Sequence, residues 1–208
     1  MSVRKEHWEK VYQTKSPDEV SWYQPSPILS LQLIAKTGLA FDAPIIDIGG
    51  GASTLVGELC DSGYSNVSVL DVSASALAHA KHRCADKVSE VRWYEEDVTC
   101  FKPPHRFALW HDRAVFHFLT SRADRDSYIK VLKQSIEPGG HIIMMTFAIN
   151  GPKKCSGLDI VQYDADKLIS EFGPGFELQE TGVDIHLTPA GSQQKFAYFR
   201  FLATQESV

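Results

Sequence analysis

The chain has 208 residues, which suits one domain or one domain carrying a small lid. Its 43% hydrophobic and 23% charged residues exclude a disordered, collagen-like or disulfide-stapled chain. Twenty-one Lys and Arg against 26 Asp and Glu give a net charge of −5, which argues against nucleic acid as a partner.

No run of 18 apolar residues is present, so no membrane span is expected. The opening stretch from Met1 to Trp8 lacks the apolar core of a signal peptide, and a cytoplasmic protein is expected. Cys60, Cys84, Cys100 and Cys155 form no C-x-x-C pair; reduced thiols and no metal site follow as expectations.

In chain order, residues 5–14 have helical spacing with Trp8, Val11 and Tyr12 on one side. Residues 15–27 hold three prolines and the pair Trp22-Tyr23, a loop carrying large aromatics. Residues 28–36 read as a helix that Gly38 stops. Short apolar strands are expected at 44–48, 67–71, 91–94, 107–111 and 141–147, with helices at 52–60, 74–84 and 124–136 between them. Ser73 is placed to cap the second of these helices and Pro138-Gly139-Gly140 to end the third. Beyond residue 148 come a polar loop at 150–157, a helix at 164–172 and two strands, 176–187 and 195–202, joined as an antiparallel hairpin at one sheet edge. The alternation implies βαβ crossovers and an α/β, doubly wound, mostly parallel sheet. Residues 1–40 read as a helical lid segment on a domain formed by 41–208.

The segment Ile45-Ile46-Asp47-Ile48-Gly49-Gly50-Gly51 runs a strand into a glycine turn that opens a helix. Small residues let a backbone approach a ligand closely, and the helix start offers unpaired N–H groups. The dinucleotide fingerprint fails, because Thr54 stands where its third glycine belongs, and no P-loop is present. The turn follows D-x-G-x-G instead. An acid at Asp47 repels phosphate and suits a ligand bearing an ammonium group. Asp71 ends the second strand 22 residues after Gly49, near the spacing at which an acid reaches ribose hydroxyls. Asp97 and Val98 close the third strand, where an acid and a backbone N–H can read an adenine ring.

Taken in order, these motifs and Pro138-Gly139-Gly140 before strand five resemble the class I S-adenosylmethionine-dependent methyltransferases over residues 40–203. The resemblance implies a seven-stranded Rossmann-like sheet with an antiparallel C-terminal strand inserted, and S-adenosylmethionine as cofactor without a metal. Carried over by position, it assigns cofactor contacts to Asp47, Gly49, Gly50, Gly51, Asp71, Val72, Asp97 and Val98. It places the residues after strand four beside the transferring methyl group, which makes His111, Asp112, Arg113 and His117 the candidates for orienting, deprotonating or anchoring an acceptor. Trp8, Tyr12, Trp22 and Tyr23 are similar to the entry segment of small methyltransferases, some of which modify lysines of translation elongation factors. Trp22 and Tyr23 are thereby expected to cover the cofactor. Those enzymes carry Asp-Lys-Gly-Thr in strand four, where this chain has Asp112-Arg113-Ala114-Val115. The expected function is methyl transfer to a small-molecule or protein side-chain acceptor; a nicotinamide oxidoreductase and a non-catalytic binding module are the alternatives.

Overall fold

Alternating apolar segments decide the centre of the molecule. The structure, a computed structural model, describes residues 3–84 and 87–204. Five strands pair in parallel: β1 (Ile45–Ile48), β2 (Val67–Asp71), β3 (Arg92–Glu95), β4 (Phe107–Arg113) and β5 (Ile136–Phe147). A two-residue pair, β6 (Lys154–Cys155) and β7 (Leu158–Asp159), lies in the loop after β5. Two long strands, β8 (Phe176–Leu187) and β9 (Gln193–Ala203), complete the main sheet. The order is β3-β2-β1-β4-β5-β9-β8, with β9 antiparallel to both neighbours. The expected hairpin is therefore present, with β9 inserted beside β5 and β8 alone at the edge.

Helices cover both faces, as strands buried on two sides require. One face packs Ile46, Ile48, Trp110, Ile142 and Met144 against α5 (Arg122–Ser135) and α6 (Ala165–Phe172). The other packs Ile45, Val69, Leu109, Ile143 and Met145 against α2 (Ile28–Ala35), α3 (Leu55–Asp61) and α4 (Ala74–Arg83). The period of two along each strand separates these sets, so neighbours in sequence serve opposite layers. The first helix, α1 (Val3–Thr14), lies against α4. Glu9 accepts from the Ser73 and Ser75 hydroxyls there, and His79 Nε2 lies 3.1 Å from the Tyr12 carbonyl.

Ser73 caps α4 as its sequence position suggests, accepting from the Ala76 N–H at 3.1 Å. Two boundaries differ by more than two residues. Helix α3 starts at Leu55 rather than 52, because Ser53 Oγ accepts the Leu55 N–H at 3.0 Å and holds the preceding residues in the turn. Pro138-Gly139-Gly140 lies inside the irregular start of β5 and does not end α5, which stops at Ser135. Pairing jumps from Phe107↔Ile136 to Leu109↔His141, and the extra residues bulge through Gly139 at φ +75.

Candidate active site

The carboxyl ends of β1, β2 and β4 carry the polar groups, at the edge where doubly wound sheets bind ligands. Each glycine of the turn is fixed by what stands next to it. Gly49 has φ +68, and a β-carbon there would collide with Val115 Cγ2. One on residue 50 would collide with the Asp47 carboxylate, and one on residue 51 would lie 2.6 Å from Asp71 Oδ2. The turn therefore admits no side chain at these positions, and Gly49 and Gly50 line the cleft with backbone alone.

The cleft has two chambers that meet at Tyr12, Trp22, Ile48, Gly49 and Arg113. The first encloses about 720 Å³ up to its mouth and is lined by Asp71, Val72, Asp97 and Val98, with Arg4 and Trp8 from α1. The second encloses about 530 Å³ and is lined by Asp47, Gly50, Tyr23, Gln24, Ser30 and His111. Trp22 stands between them, donating its indole N–H to the Tyr12 hydroxyl at 3.1 Å. Trp8 meets Trp22 edge-on at 5.6 Å and Phe118 at 4.9 Å between ring centroids.

Asp71 is buried and accepts the Gly51 N–H at 3.0 Å on one oxygen and the Ser73 N–H at 2.8 Å on the other. Burial pushes its carboxyl up to about 6, the backbone donors opposing that rise. Asp97 accepts from Thr99 N–H and Oγ1 at 2.9 and 2.7 Å. Arg4 reaches both Asp97 oxygens, at 2.9 and 2.7 Å, and clamps α1 over the first chamber.

Asp47 and His111 are register partners on adjacent parallel strands, so their side chains share a face. His111 Nδ1 lies 2.6 Å from Asp47 Oδ1, and its Nε2 lies 3.0 Å from Ser30 Oγ. The other Asp47 oxygen, Oδ2, is buried without a partner. Arg113 donates Nη1–H to the Trp22 carbonyl at 2.9 Å and lies 4.9 Å over the Phe196 ring. Its Nη2 is buried and unpartnered, and burial lowers the guanidinium to about 10.

Three residues proposed from sequence do not line either chamber: Gly51, whose N–H is taken by Asp71, and the candidates Asp112 and His117. Asp112 points to the opposite face of β4 from His111. It accepts the Val115 N–H at 2.9 Å, the Phe116 N–H at 3.1 Å and the Tyr128 hydroxyl at 2.6 Å, pinning the turn after β4. Burial raises it to about 6. His117 is fully buried, its Nδ1 accepting the Phe147 N–H at 3.3 Å, and burial drives it down to about 3, so the ring is neutral. Sequence reasoning passed over Arg4, Ser30 and Gln24, which reach the chambers only through tertiary packing. Among the described residues no group of three His, Cys, Asp or Glu could hold a metal ion, and no helix is long and apolar enough to cross a membrane.

The orphaned Asp47 oxygen, the orphaned Arg113 nitrogen and the glycine cradle suit a ligand with an amino-acid end, and Asp71 suits a diol. Residues 45–140 match the family described as Methyltransferase domain. The human protein EEF1A lysine methyltransferase 2 is 23% identical over 191 residues, covering 85% of this chain and 75% of its own. Its mouse counterpart is 23% identical over 193 residues, covering 85% and 72%. A solved structure from echinomycin biosynthesis, concerned with conversion of a disulfide bond into a thioacetal group, superposes with a TM-score of 0.74 at 17% identity over 96% of this chain and 91% of its own. N-methyltransferase NodS from Bradyrhizobium japonicum, in complex with S-adenosyl-L-homocysteine, gives 0.69 at 15% identity over 95% and 98%. At these identities the structures speak for the fold. Together with the family match over residues 45–140 and the two methyltransferase relatives, they support a class I S-adenosylmethionine-dependent methyltransferase.

Proposed function

We propose that the first chamber holds the adenosine of S-adenosylmethionine, that the second holds its amino-acid end, and that the acceptor is a small molecule or a protein side chain. The observation that carries this reading is the charge pattern of the second chamber. Its charged lining residues are Asp47 and Arg113, and each has one buried polar atom without a partner. An amino-acid zwitterion brings the two groups those atoms lack, an ammonium for Asp47 and a carboxylate for Arg113. Each Asp71 oxygen has a second lone pair beyond its backbone donor, enough for two ribose hydroxyls. Asp97 and Val98 line the adenine end.

Bound S-adenosylmethionine supplies a methyl group already activated on a sulfonium. The residues then align and exclude water, contributions that reach ~7–11 kcal/mol in favourable systems. Trp8, Trp22 and Phe118 line the first chamber, with Trp8 packed edge-to-face on the other two; the face of such a ring attracts a cation. His111 is not free to deprotonate an acceptor, since both ring nitrogens are engaged. An acceptor that arrives neutral needs no base.

A second reading makes the acceptor a lysine of a protein, as the names of the curated relatives state for them. An aromatic lining suits an alkylammonium through its ring faces; the Arg113 cation opposes one nearby. Calorimetric titration with S-adenosylhomocysteine, with NADH in parallel, tests the cofactor reading. Binding of the first alone, lost in Asp71→Ala, is expected; binding of NADH alone overturns it. Release of S-adenosylhomocysteine against a panel of small amines, thiols, carboxylates and purified elongation factor separates the acceptor readings.

A further inference from the structure

We infer that Tyr12 is a further cofactor-binding residue: its hydroxyl donates to the carboxylate of the cofactor's amino-acid end, opposite Arg113, and so makes that carboxylate a condition of tight binding. The inference rests on the cofactor reading above and deepens it, by naming a second donor that carries no charge.

Hydrogen-bond valence singles out this hydroxyl. An indole nitrogen donates and cannot accept, so in the 3.1 Å contact between Trp22 Nε1 and Tyr12 the phenol oxygen is the acceptor. The phenol's own hydrogen is therefore unspent, and among the described residues no acceptor bonds it. Tyr12 is buried, at 7% exposure. Burial, with the Asp71 carboxylate nearby, pushes the phenol well above its ordinary value. It keeps its hydrogen and serves as a donor, not as a base. A buried donor of this kind is costly until an acceptor reaches it.

Packing fixes the hydroxyl over the glycine turn. The Tyr12 ring packs with Ala52, which follows Gly51 in that turn, and with Ala76 of α4. The Tyr12 carbonyl lies 3.1 Å from His79 Nε2, which ties the main chain of α1 to the same helix. Tyr12 borders both chambers, as Gly49, Trp22 and Arg113 do. Trp22 joins the two donors, its carbonyl accepting Arg113 Nη1–H at 2.9 Å while its indole donates to Tyr12. Arg113 Nη2 is a second unspent donor bordering the same space.

Of the groups on the cofactor, the carboxylate suits this pair. Its two oxygens accept and carry no hydrogen, so one can take Arg113 Nη2–H and the other Tyr12 O–H. The ammonium brings only donors, and Asp47 Oδ2 is the buried oxygen that lacks one. The ribose hydroxyls have Asp71. A sulfonium accepts no hydrogen bond. The phenol also holds the carboxylate without setting a second cation beside the ammonium. A ligand with an amine alone leaves both donors unmet, and the site discriminates against it.

The test uses the full chain and needs no acceptor. S-adenosylhomocysteine is titrated calorimetrically beside two analogues. Its decarboxylated form keeps the adenosine, thioether and ammonium; methylthioadenosine keeps the ribose that meets Asp71 but has neither carboxylate nor ammonium. Tyr12→Phe preserves the ring and removes the hydroxyl. It should weaken S-adenosylhomocysteine by about 10–100-fold, the range of one hydrogen bond to a charged group, and leave both analogues within a few-fold. The substitution also strands the Trp22 indole N–H, so it is repeated in a Trp22→Phe background, where no indole remains. The carboxylate-selective loss should persist there. Unchanged binding of S-adenosylhomocysteine, or a loss shared with either analogue, overturns the inference while cofactor binding stands. So does a selective loss that vanishes in the Trp22→Phe background. No binding of S-adenosylhomocysteine to the wild chain overturns the cofactor reading and the inference together.

Discussion

Gly51 and Asp71 specify each other. The Gly51 N–H donates to Asp71 Oδ2 at 3.0 Å, and a β-carbon on residue 51 would stand 2.6 Å from that oxygen and 2.7 Å from Ala76 Cβ. The acid can hold the turn only because residue 51 has no side chain. The turn in turn fixes the carboxylate beside the first chamber.

Gly51→Ala is therefore expected to disturb fold and site together. Overpacking of this kind costs ~1–3 kcal/mol. A lower melting temperature and weaker S-adenosylhomocysteine binding are the expected results. Unchanged binding would show that the turn can move without displacing Asp71.

Asp71 also gives a pH dependence with a definite sign. Its carboxyl is raised to about 6 by burial. Ribose hydroxyls donate to the ionised form, so affinity is full above that value and falls as pH drops through it, by up to about tenfold per unit for one proton. Methylthioadenosine is the suitable probe, because it leaves Asp47 and His111 aside. Asp71→Asn should bind it more weakly and flatten the profile between pH 5 and 7.

Arg113→Met removes the cation of the second chamber. The variant should lose about 10–100-fold in affinity for S-adenosylhomocysteine, the range of one charged hydrogen bond. Methylthioadenosine, which lacks the carboxylate, should bind within a few-fold of the wild chain. Equal losses for both ligands would instead mean that Arg113 serves through the Trp22 carbonyl it holds at 2.9 Å.

Asp112→Asn separates scaffold from site. The variant should bind S-adenosylhomocysteine nearly as well as the wild chain, since Asp112 faces Tyr128 and the turn after β4. An amide nitrogen cannot accept from the Tyr128 hydroxyl or the Phe116 N–H, whereas either oxygen of the protonated carboxyl can, so the variant should melt lower at pH 4. Burial raises Asp112 to about 6, above its unfolded carboxyl, and its ionisation weakens the wild chain as pH rises between ~4 and about 6. The deficit of the variant should accordingly narrow by pH 7. Melting temperatures at the two pH values check the sign.

The sequence by itself determined what depends on a few consecutive residues. The five parallel strands, the glycine turn, the Ser73 cap and the acids at strand ends are local patterns, and each lies at or within a few residues of the position its residues suggest. The inserted β9 followed from the resemblance of the ordered motifs. The period of two along β4 put His111 and Asp112 on opposite faces, but only packing showed which face held the chamber. Ser30, His111 and Asp47 meet across α2, β4 and β1, and Arg4 reaches Asp97 over a separation of 93 residues. No local periodicity encodes such contacts. They arise when helices settle on a sheet whose register is already set, and so the tertiary structure alone decided which polar residues serve the cleft and which, like His117, are spent on the core.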